Sequence, residues 1–250
     1  MLEKMKNENG YTLIEALIAL LMGSLVLMAI YSAINTVQTS SSKIESKVAA
    51  QQDSRGALDL MAMEIQMASY NPLLKNNIWV SSTDCVSVVA GNQIYKGIQE
   101  AGANSITIEM DITNAAGTTT DGNGAIDGPN EIIRYNYDST NKYITRQTRT
   151  AAACSMAPAL PFLGATTANA ATQTVWVVNN AAGIPVFRYY DGQNNALAAP
   201  VTNMGDIRKI EITLVTQTSN KDIGTGGQRQ IIYTTSVVPR NHGPSPNYNH

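Results

Sequence analysis

The sequence predicts an α+β protein in which one long N-terminal α-helix, with a membrane-spanning half and an amphipathic half, packs on an antiparallel β-sheet domain. Three observations carry this. An apolar run extends from Leu13 to Ile34 with a single charge in it. Apolar residues at spacings of three and four continue from there to Ile65. Beyond Pro72 the period falls to two, and no helical pattern of comparable strength returns.

The first ten residues form a short polar leader that ends at Gly10, and the one charge in the run behind it is Glu15. Leu13 to Ile34 is 22 residues. That is enough to cross a hydrocarbon core of about 30 Å at about 1.5 Å per residue, so the transmembrane part is placed at about 13–34. A lone acidic group there costs about 3 kcal/mol on insertion scales, so Glu15 calls for a partner. A secretory signal carries its small-residue cleavage site after the apolar region. Here the processing point, Gly10, lies before it, so a cut leaves the helix on the mature chain. The same cut creates a free amine at Tyr11, four residues from Glu15. Glu15 also sits in the first helical turn, where negative charge suits the helix dipole. The plainer alternative is a signal anchor whose Glu15 snorkels to the interface. Lys4 and Lys6 precede the span, and the next positive residues, Lys43 and Lys47, lie well past it. This favours a cytoplasmic N-terminus.

The helical pattern continues through Ile34, Val37, Ile44, Val48, Leu58, Met61, Ala62 and Ile65, near one stripe. Lys43, Glu45, Lys47, Gln52, Asp53 and Asp59 fall largely on the other side. Asn71-Pro72 reads as the stop, giving a helix over 11–71. Gly23 and Gly56 are its weak points. No proline precedes Pro72, so no proline kink is expected.

Residues 72–240 then form one globular β-rich domain of about 170 residues. Ile106, Ile108 and Met110 alternate with Ser105, Thr107 and Glu109; Ile210, Ile212 and Leu214 alternate with Lys209, Glu211 and Thr213. Further strands are read at 86–89, 131–137, 142–148, 174–178, 185–190 and 230–238. The gaps are mostly too short for helical crossovers, so pairing is antiparallel. The last residues, 241–250, read as a loose C-terminal tail. Charged residues are only 14% and net charge is -2, which does not suggest a nucleic-acid surface.

Cys85 and Cys154 both fall in this domain. Outside the cytoplasm such a pair forms a disulfide more often than it stays free. The closed loop would stabilise the fold by about 4 kcal/mol in the chain-entropy model. Asp121-Gly122-Asn123-Gly124-Ala125-Ile126-Asp127 resembles the start of a calcium loop, with Asp121, Asn123 and Asp127 as hard oxygen ligands. Calcium is the one candidate cofactor. The fit is incomplete, because Ala125 replaces an oxygen side chain and Glu131 falls one position early. The alternative is an Asp/Asn/Gly hairpin turn.

Catalysis finds little support. Both histidines, His242 and His250, lie in the tail, which removes the usual general base from a Ser or Cys triad. Gly224, Gly226 and Gly227 read as a hairpin loop and not as a phosphate cradle. Tyr135, Tyr137, Tyr143, Tyr189 and Tyr190 suit half-buried strand faces better than a stacking surface.

The junction Gly10-Tyr11-Thr12-Leu13-Ile14-Glu15, with its apolar run, resembles the class III signal of type IV pilins and of type II secretion pseudopilins. Tyr11 stands where that family usually has Phe. The resemblance implies cleavage after Gly10 by a membrane prepilin peptidase and methylation of the Tyr11 amine. It also implies an assembly role for Glu15 against the amine of a neighbouring subunit. Ala57-Leu58-Asp59-Leu60-Met61-Ala62-Met63-Glu64-Ile65-Gln66-Met67-Ala68 resembles the helix end of PilW-type minor pilins and J-type pseudopilins. Val186-Phe187-Arg188-Tyr189-Tyr190-Asp191 and the closing Pro239-Arg240-Asn241 resemble their late segments.

The implied protein is a structural subunit and not an enzyme: a minor pilin that initiates or joins a type IV pilus. Its implied partners are other pilins, major and minor, the peptidase, and an inner-membrane assembly platform. It would wait in the inner membrane with a periplasmic domain, then enter an extracellular pilus. The alternatives are a J-type pseudopilin in a periplasmic pseudopilus and a pilus-tip adhesin. A signal-anchored periplasmic enzyme is more distant.

Overall fold

The computed structural model describes residues 11–80, 96–149, 156–164, 175–218, 228 and 230–243. The chain divides into two compact units, Met1–Glu45 and Ser46–His250. Cys85, Cys154, Gly10 and the strand expected at 86–89 lie outside the described residues.

Among the described residues of the first unit the element is the leading part of α1 (Leu13–Gln66), whose apolar side chains are exposed. The helix continues through Gly23 and Gly56 without interruption, so neither glycine acts as a break.

In the second unit α1 buries Ala50, Ser54, Ala57, Leu58, Met61 and Ile65, at spacings of three and four. The Ser54 hydroxyl donates to the Ala50 carbonyl at 2.7 Å, which satisfies a polar group that burial would otherwise penalise. Ile44 and Val48, assigned to the same stripe by spacing, are 61% and 44% exposed. The buried stripe therefore starts at Ala50.

α1 ends at Gln66, five residues before the expected stop. Met67 and Ala68 N–H groups reach back only three residues, to Glu64 and Ile65. Ser69 then enters the left-handed region at φ 67° and its N–H turns to the Glu109 carbonyl at 2.8 Å. The Asp111 N–H donates to the Tyr70 carbonyl at 2.8 Å, so the chain leaves the helix by pairing with the end of a strand. Gly97 is needed here, because a Cβ would stand 2.4 Å from the Glu109 carbonyl oxygen and 2.6 Å from the Ser69 nitrogen.

Among the described residues the domain holds two antiparallel five-stranded sheets. The first is a meander of β1 (Ile98–Ala101), β2 (Ser105–Glu109), β3 (Ile132–Asp138), β4 (Tyr143–Thr148) and β5 (Leu160–Gly164), in that order. The second contains β6 (Val175–Val177), β7 (Phe187–Tyr190), β8 (Ala196–Leu197), β9 (Lys209–Thr218) and β10 (Gln230–Val237). Its order is β10-β9-β7-β8, with β6 also pairing β9. Met61 and Ile65 of α1, Ile106, Ile108 and Tyr135 of the first sheet, and Phe187, Ile210 and Leu214 of the second share one core. Each such side chain contributes about 1.5–3 kcal/mol on burial.

Between β6 and β7 the partner of β9 is a side chain. Asn179, in the short α2 (Asn179–Ala182), is fully buried. Its Oδ1 accepts the Val215 N–H and its Nδ2 donates to the Thr213 carbonyl, both at 2.8 Å. The amide thus satisfies the two β9 groups that a strand backbone would otherwise serve.

Candidate functional site at the head of the N-terminal helix

Thr12 and Glu15 form a capping box at the start of α1. The Thr12 hydroxyl accepts the Glu15 N–H at 3.3 Å, and Glu15 Oε2 accepts the Thr12 N–H at 2.9 Å. The Thr12 hydroxyl also reaches Oε2 at 3.0 Å. Helix starts leave N–H groups without partners, and a Ser/Thr with Glu three residues on satisfies two of them reciprocally. The signature Thr12-x-x-Glu15 is present in the sequence, but the reading of Glu15 as a charge in search of an amine passed over it. Tyr11 is exposed and makes no part of the box. The Glu15 carboxylate is thus held at the helix tip with its charge uncancelled by any cation in its own chain among the described residues. Among those residues α1 is the one helix long and apolar enough to cross a membrane.

The other residues singled out by sequence fall elsewhere. Tyr135, Tyr137 and Tyr189 are buried, and their hydroxyls donate to Glu64, to the Val177 carbonyl and to the Gly102 carbonyl. Only Tyr143 and Tyr190 of the five keep a partly open face, and the Lys209 ammonium covers the Tyr190 ring at 4.1 Å. Asp121 is exposed, while Asn123 and Asp127 bond to each other within the loop.

His242 does not belong to a loose tail. It is 3% exposed, with Nδ1 2.9 Å from the Ser69 hydroxyl and Nε2 2.6 Å from the Met204 carbonyl. The carbonyl can only accept, so Nε2 carries the proton and the Ser69 hydroxyl donates to Nδ1. Ser69 in turn accepts the Gly97 N–H at 2.6 Å. Burial pushes the imidazole down to about 4, and the Arg208 and Lys96 charges push the same way. The neutral ring therefore stabilises the fold above the ordinary histidine range, and that contribution is lost as pH falls toward 4. Ser69 and His242 are both buried, with no carboxylate on the ring among the described residues, and the pair fastens the segment after β10 (Gln230–Val237) to the end of α1.

A second buried titratable group, Glu109, binds the backbone next to Trp79. Glu109 is fully buried; its Oε2 accepts the Val80 N–H at 3.0 Å and its Oε1 has no partner among the described residues. Burial pushes its carboxyl well above the usual range; the Val80 N–H and Arg149 oppose this, and Glu131 adds to it. A carboxyl raised in the folded state stabilises fully below the unfolded value, and that stability is lost as pH rises through the folded value. Glu109→Gln cannot ionise and keeps the acceptor for Val80. Melting temperature plotted from pH 4 to 8 should fall less steeply for this variant than for the parent chain. Parallel curves would show that Glu109 does not titrate differently on folding.

A family model described as the prokaryotic N-terminal methylation motif matches residues 5–31. No curated protein matches the chain. Among solved structures, a type IV-like pilin from Thermus thermophilus is similar at a TM-score of 0.43 and 10% identity, covering 77% of this chain and 98% of that one. The matched residues take in the Thr12–Glu15 capping box and the apolar start of α1, so the chain carries the prokaryotic N-terminal methylation motif at the head of its long helix.

Proposed function

We propose that the chain is a minor pilin, cleaved after Gly10 by a prepilin peptidase, methylated on Tyr11, and assembled into a type IV pilus through α1. The observation that carries the reading is a carboxylate, Glu15, fixed at the tip of a membrane-length helix one turn from the new amine. In the membrane this charge is costly; beside the Tyr11 amine of a neighbouring subunit it is paired. The exposed apolar face of α1 supplies the packing, and the charge pair sets axial register among helices drawn from the membrane. Other pilins and an inner-membrane platform are the partners, and the domain waits in the periplasm until extraction. The size of the chain and its PilW-like segments favour a minor, initiating subunit over a shaft subunit. A J-type pseudopilin shares those segments; loss of secretion with surface pili unchanged in a deletion strain would favour it.

Cys85 and Cys154 are proposed as a disulfide. The described residues nearest to them on one side each, Val80 and Met156, pack in one cluster with Trp79. One measurement tests both proposals. Intact mass and N-terminal sequence of protein from membranes of a peptidase-positive host should show a start at Tyr11, one added methyl group, and two hydrogens fewer than the reduced chain. A start at Met1 would refute processing, and a mass unchanged on reduction would refute the disulfide.

A further inference from the structure

The loop joining β2 to β3 carries the Asp/Asn/Gly pattern of a calcium loop, but its donors do not fit that ion. Asp111 and Glu131 are fully buried, and their oxygens are taken by backbone N–H groups. Asn123 and Gly124 donate to the two oxygens of Asp111 at 2.9 and 2.8 Å. Ile112 and Thr113 donate to one oxygen of Glu131 at 3.0 Å each, and Asp127 and Gly128 to the other at 2.7 and 2.6 Å. Asn123 is also turned away from ligation. Its Oδ1 accepts the Ala125 N–H at 3.0 Å, which directs its Nδ2 onto both Asp127 oxygens at 3.1 and 3.2 Å. Among the described residues no three Asp, Glu, His or Cys side chains form a metal-binding group.

The cation at this loop is a side chain. Lys75 Nζ donates to the Asn123 carbonyl at 3.2 Å. Its stem lies on Gly124, where a Cβ would stand 2.3 Å from Lys75 Cδ and 2.5 Å from Nζ. Gly124 has φ +78°, so the glycine serves both the turn and the close approach. Lys75 is itself aimed by Asn71, whose Nδ2 donates to the Lys75 carbonyl at 2.8 Å and whose Oδ1 accepts the Lys75 N–H at 3.1 Å. Burial raises the Asp111 carboxyl and the Asp127 charge adds to this, while the two N–H donors and the Lys75 charge hold it down. We propose that the Lys75 ammonium, bound to the Asn123 carbonyl, serves as a tethered cation for this loop, closing it and fastening it to the segment after α1 without metal. The inference is independent of the pilin reading, since it concerns only contacts inside the domain.

Hydrogen exchange on the full chain in detergent micelles tests it, in calcium and in chelator. In the parent chain the Asn123 and Gly124 amides should exchange at the same rate in both, with an unchanged melting temperature. Lys75→Met should speed those amides about tenfold while β9 and β10 amides stay protected; Lys75→Arg should hold them within about threefold. Saturable slowing by calcium in the parent chain would overturn the proposal. So would unchanged loop exchange in Lys75→Met. Calcium slowing confined to Lys75→Met would support it directly, as the ion then replaces the missing charge.

Discussion

Glu15→Gln should leave the chain in the membrane and cleaved after Gly10, yet keep it out of filaments. The substitution separates two jobs of one side chain. As the reciprocal partner of Thr12, glutamine serves the capping box as glutamate does, so the helix start is retained. Membrane insertion becomes easier, because an ionised carboxylate costs about 3 kcal/mol that a neutral amide largely avoids. On the proposed assembly, what disappears is the charge opposite the Tyr11 amine of the next subunit. In a helix bundle of low dielectric, that pairing is worth well over the 1.4 kcal/mol that makes a tenfold difference in occupancy. Sheared filaments should contain about a tenth of the parent amount or less, with membrane-bound mature protein undiminished, as read by quantitative immunoblot. Thr12→Val is the complementary variant: it costs the cap about 1 kcal/mol and keeps the charge, so its filament entry should fall less. Entry of Glu15→Gln at the parent level would sink the charge-pair mechanism and leave Glu15 as a capping residue alone.

Features were legible in the sequence where the determining residues are neighbours along the chain. The junction at Gly10 and the span from Leu13 are local, and so is the alternation that marks β2, β3, β4, β9 and β10. β1 (Ile-Gln-Glu-Ala), β5 (Leu-Pro-Phe-Leu-Gly) and the two-residue β8 were not legible, because none alternates for long enough to show a period. The end of α1 was misplaced for a different reason. Nothing between Gln66 and Asn71 breaks a helix strongly; the break is made by Glu109, Gly97 and His242, which bind Ser69 from distant parts of the chain. Asn179 and Lys75 teach the same point, since a polar residue whose partner is remote reads only as a loop residue. The run Asp121 to Asp127 is ambiguous in principle, because carboxylates that face metal and carboxylates that face backbone N–H groups call for the same Asp, Asn and Gly.

Glu64→Ala should lower the melting temperature of the domain by about 10 °C. Glu64 lies on α1 between Met61 and Ile65, so its carboxylate faces the first sheet at the centre of the helix contact. Arg146 of β4 donates to it twice, from Nη2 at 2.6 Å and from Nε at 3.1 Å, and the Tyr135 hydroxyl of β3 donates to Oε2. The side chains of Arg146 and Glu64 are 25% and 14% exposed, and Tyr135 is fully buried. Burial and the Glu64 charge push the Tyr135 hydroxyl far above the range in which it ionises, so it remains a donor at any working pH. Removing the carboxylate strands a guanidinium and a phenol in a largely dry contact. Loss of one partner from a fully buried pair costs about 3–5 kcal/mol, and the residual exposure of Arg146 reduces this to about 2–4 kcal/mol. At about 2–4 °C per kcal/mol for a chain of this size, the shift centres near 10 °C. A double variant, Glu64→Ala with Arg146→Met, should recover part of the loss, because it removes the stranded charge along with its partner. Equal losses in the single and double variants would mean that Arg146 is solvated once freed, and a single-variant shift under about 2 °C would show that Met61 and Ile65 hold the helix to the sheet without help.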